Sequence, residues 1–425
     1  GIAVAWDPTR EGKMSVRAGV GVFYDRFAGQ FFHDAQTFAP VFGLATARKD
    51  TPPVVPVYGL SRTTQSPWQF PVIPNLRKGL DPKGGLLGVP SELSNADPNM
   101  RTQYSINWSL AIQYAFARDY VVETAYIGSV GRKLYQEYDV NRFSGDLLDG
   151  RLDRLNSSFG VIGYAQANGN SSYHGATVSV KKRFTQGLDF QAGYTFGKAI
   201  DTASSFGRGL NIFDPYRLFL NRGPADFDVR QKVASRVVYD IPAPKSLNRL
   251  LGGWQLGAIT IFQSGPPFTV FCGQPFQAVR DASGRVVGNS GCDFNADGRS
   301  GDPLNTPAFG NTLTGLGRSD YMFPNRLFQA SDFPRPGLGV LGNLGRNTFP
   351  SPGYANTDFI LAKKAKIPWF LGKEGANLLF RTEFFNLFNR VNLDRPVGDT
   401  NSPDFGRSTR AFGARNVQFG LKIEF

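Results

Sequence analysis

The residues with the clearest chemistry lie in one run, Asp293-Phe-Asn295-Ala-Asp297-Gly298-Arg299-Ser-Gly-Asp302. Oxygen-bearing side chains at the first, third and fifth places, then glycine at the sixth, match the start of a calcium loop. Arg299, in the seventh place, would offer its backbone carbonyl. The run departs from that pattern at the twelfth place, which is Leu304 instead of glutamate. Asp302, at the tenth, is the late carboxylate. Calcium here would stiffen a surface loop, not catalyse. The alternative is an Asx-rich turn that needs no metal. Cys272 and Cys292 lie in the same long loop, before this run, with nineteen residues between them. In an oxidising compartment they could close it as a disulfide, adding ~3 kcal/mol by loop entropy. The alternative is two free thiols.

Other polar groups are less pointed. Arg381 and Glu383 share one face of a strand pattern, where they could line a lumen, contact a plug, or simply pair with neighbouring strands. Phe385 sits on that face too and could fill space. His33 and His174 are isolated, with no metal-ligand spacing between them. No Gly-rich phosphate loop and no Ser/His/Asp or Cys/His set has supporting context, so no catalytic residue is assigned and the chain reads as a non-enzyme. No cofactor is required; structural Ca²⁺ is the one candidate.

The elements that must position these groups are strands. Tyr104, Ile106, Trp108, Leu110, Ile112, Tyr114 and Phe116 alternate with Gln103, Ser105, Asn107, Ser109, Ala111 and Gln113. Val417, Phe419, Leu421, Ile423 and Phe425 alternate with Gln418, Gly420, Lys422 and Glu424. Period-two patterning predicts eleven strands, near 1–7, 14–26, 102–116, 119–135, 173–184, 188–201, 228–241, 253–270, 355–367, 377–391 and 410–425. Almost nothing reads as an amphipathic helix, and no apolar run of about eighteen residues could form a helical span.

The connections alternate strictly between short (Pro8–Lys13, Ala117–Asp119, Thr185–Gly187, Pro242–Gly252, Pro368–Ala376) and long (27–101, 136–172, 202–227, 271–354, 392–409). One short-turn end and one long-loop end is the layout of an antiparallel transmembrane β-barrel in the outer membrane, with short periplasmic turns and long extracellular loops. If the last strand ends in the periplasm, every long connection falls outside the cell. A soluble all-β hydrolase or lectin would have no reason to sort its loops this way.

Composition agrees. The 425 residues include 49 Gly, 37 Phe and 15 Tyr, and a mean hydropathy of −0.25 results where lipid-facing and lumen-facing residues average out. The net charge is +13, but Lys and Arg are spread along the chain, which argues against nucleic acid. The environment implied is outer-membrane lipid and lipopolysaccharide. Eleven antiparallel strands cannot close an even-numbered barrel, so the expectation is a C-terminal portion of one barrel domain over 1–425, with the rest of the wall before Gly1.

Several segments together resemble the TonB-dependent outer-membrane transporters, specifically the Oar-like group. They are Arg222-Gly-Pro-Ala-Asp-Phe-Asp-Val-Arg230, Leu251-Gly-Gly-Trp-Gln-Leu256 and Gln263-Ser-Gly-Pro-Pro-Phe-Thr-Val270. Leu341-Gly-Asn-Leu-Gly-Arg-Asn347, Pro352-Gly353, Arg381-Thr-Glu-Phe-Phe-Asn-Leu-Phe-Asn389 and Arg415-Asn-Val-Gln-Phe-Gly-Leu-Lys-Ile-Glu-Phe425 complete the set. The resemblance covers about 100 to 425 and implies a barrel of about 22 strands around an N-terminal plug. It also implies uptake driven by the TonB–ExbB–ExbD complex. The chain itself shows no plug domain and no TonB box, and its substrate cannot be named from these residues. A terminal aromatic, Phe425, resembles the signal read by the barrel-assembly machinery. The competing functions are a passive porin-like channel and a surface adhesion or structural barrel.

Overall fold

The computed structural model describes residues 1–26, 91–205, 212–244, 252–367 and 376–424. Eleven strands form one antiparallel meander in chain order. They are β1 (Ile2–Trp6), β2 (Met14–Tyr24), β3 (Tyr104–Ala117), β4 (Tyr120–Asp139), β5 (Phe159–Thr185) and β6 (Leu188–Asp201). The remainder are β7 (Gln231–Asp240), β8 (Trp254–Gln263), β9 (Tyr354–Ile367), β10 (Ala376–Phe385) and β11 (Asn416–Glu424). Among the described residues the sheet stays open, with β1 and β11 at its edges. All eleven strands read from alternation are present. His33 and Phe425 lie outside the described residues.

The short ends are built as tight turns. Between β5 and β6 only Gln186 and Gly187 intervene, at φ 51° and 76°. Positive φ at both central residues suits the right-handed twist of the flanking strands. A Cβ at Gly187 would also approach the Asp240 carbonyl to 2.8 Å. Between β1 and β2, both carboxylate oxygens of Asp7 accept backbone N–H groups, from Thr9 at 3.0 Å and Gly12 at 2.8 Å.

Register fixes which side chains share a face. Row by row, Ile112, Thr124, Val178, Tyr194, Val233, Phe262 and Ala355 stand opposite one another across seven strands. On this face Leu110, Ile112, Tyr114, Phe116, Tyr194, Phe196, Phe262, Phe419 and Leu421 are all exposed. An exposed apolar band of this extent has a physical rationale only where lipid covers it. Toward the short-turn end the band carries cations lying over rings: Lys182 over Tyr120 at 5.7 Å and Lys363 over Trp254 at 5.1 Å. Such pairs suit the membrane interface, where aromatic bodies and charged tips are both satisfied.

The opposite face is polar. Arg236 pairs with Asp189 at 2.7 Å, Gln255 donates to Asp240 at 2.8 Å, and Lys422 pairs with Glu424 at 2.8 Å. The two faces make an asymmetric prediction. Leu110→Arg, near mid-strand on the apolar face, is expected to destabilise the barrel by about 2–4 kcal/mol in a bilayer. Its polar-face neighbour, Ser109→Arg, is expected to change stability by under about 1 kcal/mol. Urea titration in lipid vesicles compares them; equal losses would reverse the assignment of faces.

Several boundaries differ from the sequence reading, among them the end of β10, at Phe385 instead of 391, and the start of β11, at Asn416 instead of 410. β5 begins at Phe159, fourteen residues before the expected 173, and β4 runs on to Asp139. At ~3.3 Å per residue, 27 residues extend ~90 Å along the strand, far beyond a ~30 Å hydrocarbon core. β8 stops at Gln263, not 270, because Pro266 and Pro267 cannot continue the ladder. A short strand, Ser91–Ala96, pairs in parallel with the upper half of β5. The sequence places it within the long connection 27–101, since parallel pairing within a meander leaves no alternation signature of its own.

Candidate functional site

The principal buried apolar core is not in the wall but above it. Phe268, Val270, Phe294, Leu304, Phe328, Phe333, Leu344, Phe349 and Phe405 form one cluster, with Cys272 and Cys292 inside it. They come from the β8–β9 connection (264–353) and the β10–β11 connection (386–415). Phe328 is its hub, with ring centroids 4.7 Å from Phe349 and 5.2 Å from Phe333. These two connections therefore share one packed core, the centre of a cap at the extracellular end of the sheet.

Backbone hydrogen bonds tie the pieces of the cap together. Gly145 N–H donates to the Asn295 carbonyl at 2.7 Å, and Leu147 N–H to Ala296 at 2.9 Å. Phe271 N–H donates to Gly398 at 2.9 Å. Two arginines are prominent among the side-chain ties. Arg346 reaches the carbonyl of Asn221 at 3.1 Å, the hydroxyl of Ser204 at 3.1 Å and the carboxylates of Asp226 and Asp201. Asn347 beside it donates to Pro224 O at 2.8 Å and to Asp226 at 2.6 Å. Arg142, 1% exposed, donates to the carboxylate of Asp297 and to the carbonyl of Ile212. Sequence reasoning flagged the Leu341–Asn347 segment without a role and missed Arg142 altogether. A single arginine in a loop carries no spacing signal.

The Asp293 run is brought together and buried: Asp293, Asn295, Asp297 and Asp302 are each at most 3% exposed. Asp293 accepts N–H bonds from Asp297 at 3.0 Å and Gly298 at 2.8 Å. Asp297 accepts the Arg299 N–H at 2.9 Å, and Asp302 accepts the Asn295 N–H at 3.0 Å. Gly298 takes φ +83° at the sixth place, the tight turn the pattern required. Burial pushes the Asp293 carboxyl up to about 6 and that of Asp302 up to about 8. It raises Asp297 as well, against the pull of the Arg142 guanidinium. Burial also lowers Arg299, which lies near Arg142. Among the described residues no set of three His, Cys, Asp or Glu side chains is arranged to hold a metal ion. In this structure the cation against the loop is Arg142. A calcium titration followed by protease resistance of the cap separates the two accounts: a rise in resistance requires an ion at Asp293, Asn295, Asp297, Asp302 and the Arg299 carbonyl, and no change leaves the loop to Arg142.

Cys272 and Cys292 are joined as a disulfide, their Cα atoms 5.3 Å apart. It lies within the aromatic core and closes the segment 273–291; the Asp293 run begins directly after Cys292, so that run lies outside the closed ring. Non-reducing peptide mapping is expected to give a linked Cys272–Cys292 peptide, and its absence would remove the bridge. Loss of the bridge is expected to weaken the cap by ~3 kcal/mol.

Arg381 and Glu383 sit on the polar face of β10 and face each other, Nε to Oε1 at 3.6 Å. They belong to the charge ladder of that face. Phe385, 42% exposed, fills no space there. His174 is hydrogen-bonded, its Nδ1 2.7 Å from the Tyr126 hydroxyl, and lies 5.8 Å from the Trp108 ring.

Fold, faces and cap together define a membrane-spanning β-barrel wall with an extracellular loop assembly. The family model described as an outer membrane beta-barrel domain matches residues 2–418, and the chain belongs to that family. It is thus a multi-pass strand wall of the outer membrane. Among curated proteins nothing matches it. Solved structures with a similar arrangement include the outer membrane transporter YddB from Escherichia coli, with 9% identity, 99% of this chain and 39% of that chain covered, and a TM-score of 0.49. The FrpB iron transporter from Neisseria meningitidis gives 11%, 99%, 37% and 0.42. The siderophore receptor PiuA from Acinetobacter baumannii gives 9%, 99%, 34% and 0.43. The chain spans well under half the length of these structures.

Proposed function

We propose that this chain forms wall and cap of a TonB-dependent outer-membrane transporter that takes up an unidentified substrate. The observation that carries the reading is the two-faced meander: an apolar outer band, a charged inner ladder, and long loops gathered at one end. A charged inner face needs water or a polar plug against it, because unpaired charges cannot be left in an apolar interior. The gathered loops present polar and aromatic groups on a rigid support, the arrangement expected of a ligand-capturing surface. Energy coupling, the plug and the TonB complex are part of the proposal, as is the absence of catalysis.

The test is uptake in intact cells. Accumulation of the substrate is expected to vanish when the inner-membrane complex is disabled or the proton gradient is collapsed. Steady conductance of the full-length protein in planar bilayers, without that complex, would instead make it a passive channel. Cell adhesion lost on cap deletion, with growth and uptake unaffected, would make it a surface-binding protein.

A further inference from the structure

Two recesses on the outer side of the sheet run into each other. The lower, of about 330 Å³, is lined by the apolar row Tyr194, Val233, Phe262 and Ala355 and also by the neighbouring row Lys232, Gln263 and Tyr354. Phe262 is 52% exposed, Tyr194 40% and Val233 39%. The upper, of about 370 Å³, lies against the cap and is lined by Arg318, Tyr321, Ser351 and Val391. Ser264, Gly353 and Arg390 line both, so apolar wall and cap pocket form one groove.

The groove is amphipathic along its length. Phe262 is eight residues above Trp254 on β8. That is ~27 Å along the strand, or ~20 Å along the membrane normal at a ~40° tilt. With Trp254 at the inner interface, Phe262 marks the upper limit of the apolar band, which is ~25 Å tall. Arg390 and Arg318 sit just above it, at headgroup level. Both are exposed, and neither forms an ion pair with a carboxylate among the described residues. Arg318 donates only a long bond, 3.4 Å, to the Val391 carbonyl. Ser351 is 5% exposed, and its hydroxyl has no hydrogen-bond partner among the described residues. Two guanidinium groups without a carboxylate partner and a buried, unsatisfied hydroxyl above an apolar trough lack the same thing: an anion carried on an acyl chain.

We propose that this groove binds the phosphate headgroup of an outer-leaflet lipid, with Arg390 and Arg318 gripping the phosphate and Ser351 within the same recess. The acyl chain lies over Phe262, Val233 and Tyr194. Guanidinium groups match phosphate oxygens in geometry and charge, and the bonds strengthen at the membrane surface, where water is scarce. The site concerns the membrane around the barrel and holds whatever the barrel transports.

The test uses the full-length protein in phosphatidylcholine nanodiscs, with lipid A as the probe and native mass spectrometry as the readout. Wild-type protein is expected to retain lipid A. Arg390→Gln and Arg318→Gln are each expected to weaken retention about tenfold, as for a lost charge-assisted bond. Both side chains are solvent-exposed, and heat-modifiable mobility of the variants should stay that of the wild type. Lipid A stripped of its phosphates is expected to behave like the variants. Equal retention by the double variant, or equal binding of the dephosphorylated lipid, overturns the proposal. Full displacement of lipid A by inorganic phosphate alone would assign the site to a free anion and overturn the lipid reading.

Discussion

Arg142→Met is expected to loosen the extracellular cap by about 3–5 kcal/mol while leaving the transmembrane wall intact. Arg142 enters from the β4–β5 connection, and its guanidinium contacts Asp297 on the β8–β9 connection and the Ile212 carbonyl on the β6–β7 connection. Both partners of the ion pair are 1% exposed. Methionine keeps the volume of the stem but removes the charge and both donors. The Asp297 carboxylate would then stay buried without a cation, the expensive outcome for an ion pair. A double-mutant cycle with Asp297→Asn distinguishes this from simple loss of packing. If the pair is the cause, the two substitutions together cost less than their sum. Protease cleavage of the loops on intact cells reports the cap, and heat-modifiable mobility reports the wall. Unchanged cleavage in Arg142→Met would show that the three connections hold together without this contact.

The wall was legible because its rule is local. Every side chain from Tyr104 to Phe116 declares its face by position, and the same parity runs through Val417 to Ile423. Lipid demands that alternation wherever a strand crosses, so eleven strands could be placed without any knowledge of pairing. The legibility ends where the strands leave the membrane. Above Arg132 the periodic signal dissolves: Tyr135, Gln136, Glu137, Tyr138 and Asp139 are all buried, whichever face they point to. There the neighbours are loops, and burial is set by what folds over the strand. The Asp293 loop was visible as a turn, since Asx side chains and glycine act on their own backbone within a few residues. Its cation partner was not, since Arg142 lies 155 residues away and nothing local marks it. Arg346 and Asn347 stand out in the sequence only as the end of the Leu341–Asn347 segment. Their partners, Asp201, Ser204, Asn221 and Asp226, are more than a hundred residues earlier in the chain.

Phe328→Ala tests the other half of the cap, its apolar core, and is expected to cost about 3–5 kcal/mol. Phe328 is 2% exposed and stands within 6.4 Å, ring centre to ring centre, of Phe268, Phe309, Phe333, Phe349 and Phe405. These rings come from the start, middle and end of the β8–β9 connection and from the β10–β11 connection. Truncation removes the ring they share and leaves a cavity they cannot all collapse into. The cost is transfer free energy plus the unfilled space, and loss of edge-to-face partners adds to it. The cap has few other large clusters to absorb the loss: its neighbours centre on Tyr135 with Ala165 and on Tyr138 with Ile212. Phe323, 80% exposed on the same connection, is the control, and Phe323→Ala is expected to change little. In cells, Phe328→Ala should expose the 264–353 segment to added protease without reducing the amount of barrel in the outer membrane. The wall folds on hydrogen bonds between neighbouring strands and on lipid, neither of which passes through Phe328. Loss of barrel and cap together would mean that wall and cap fold as one cooperative unit, and the separation drawn between them would fail.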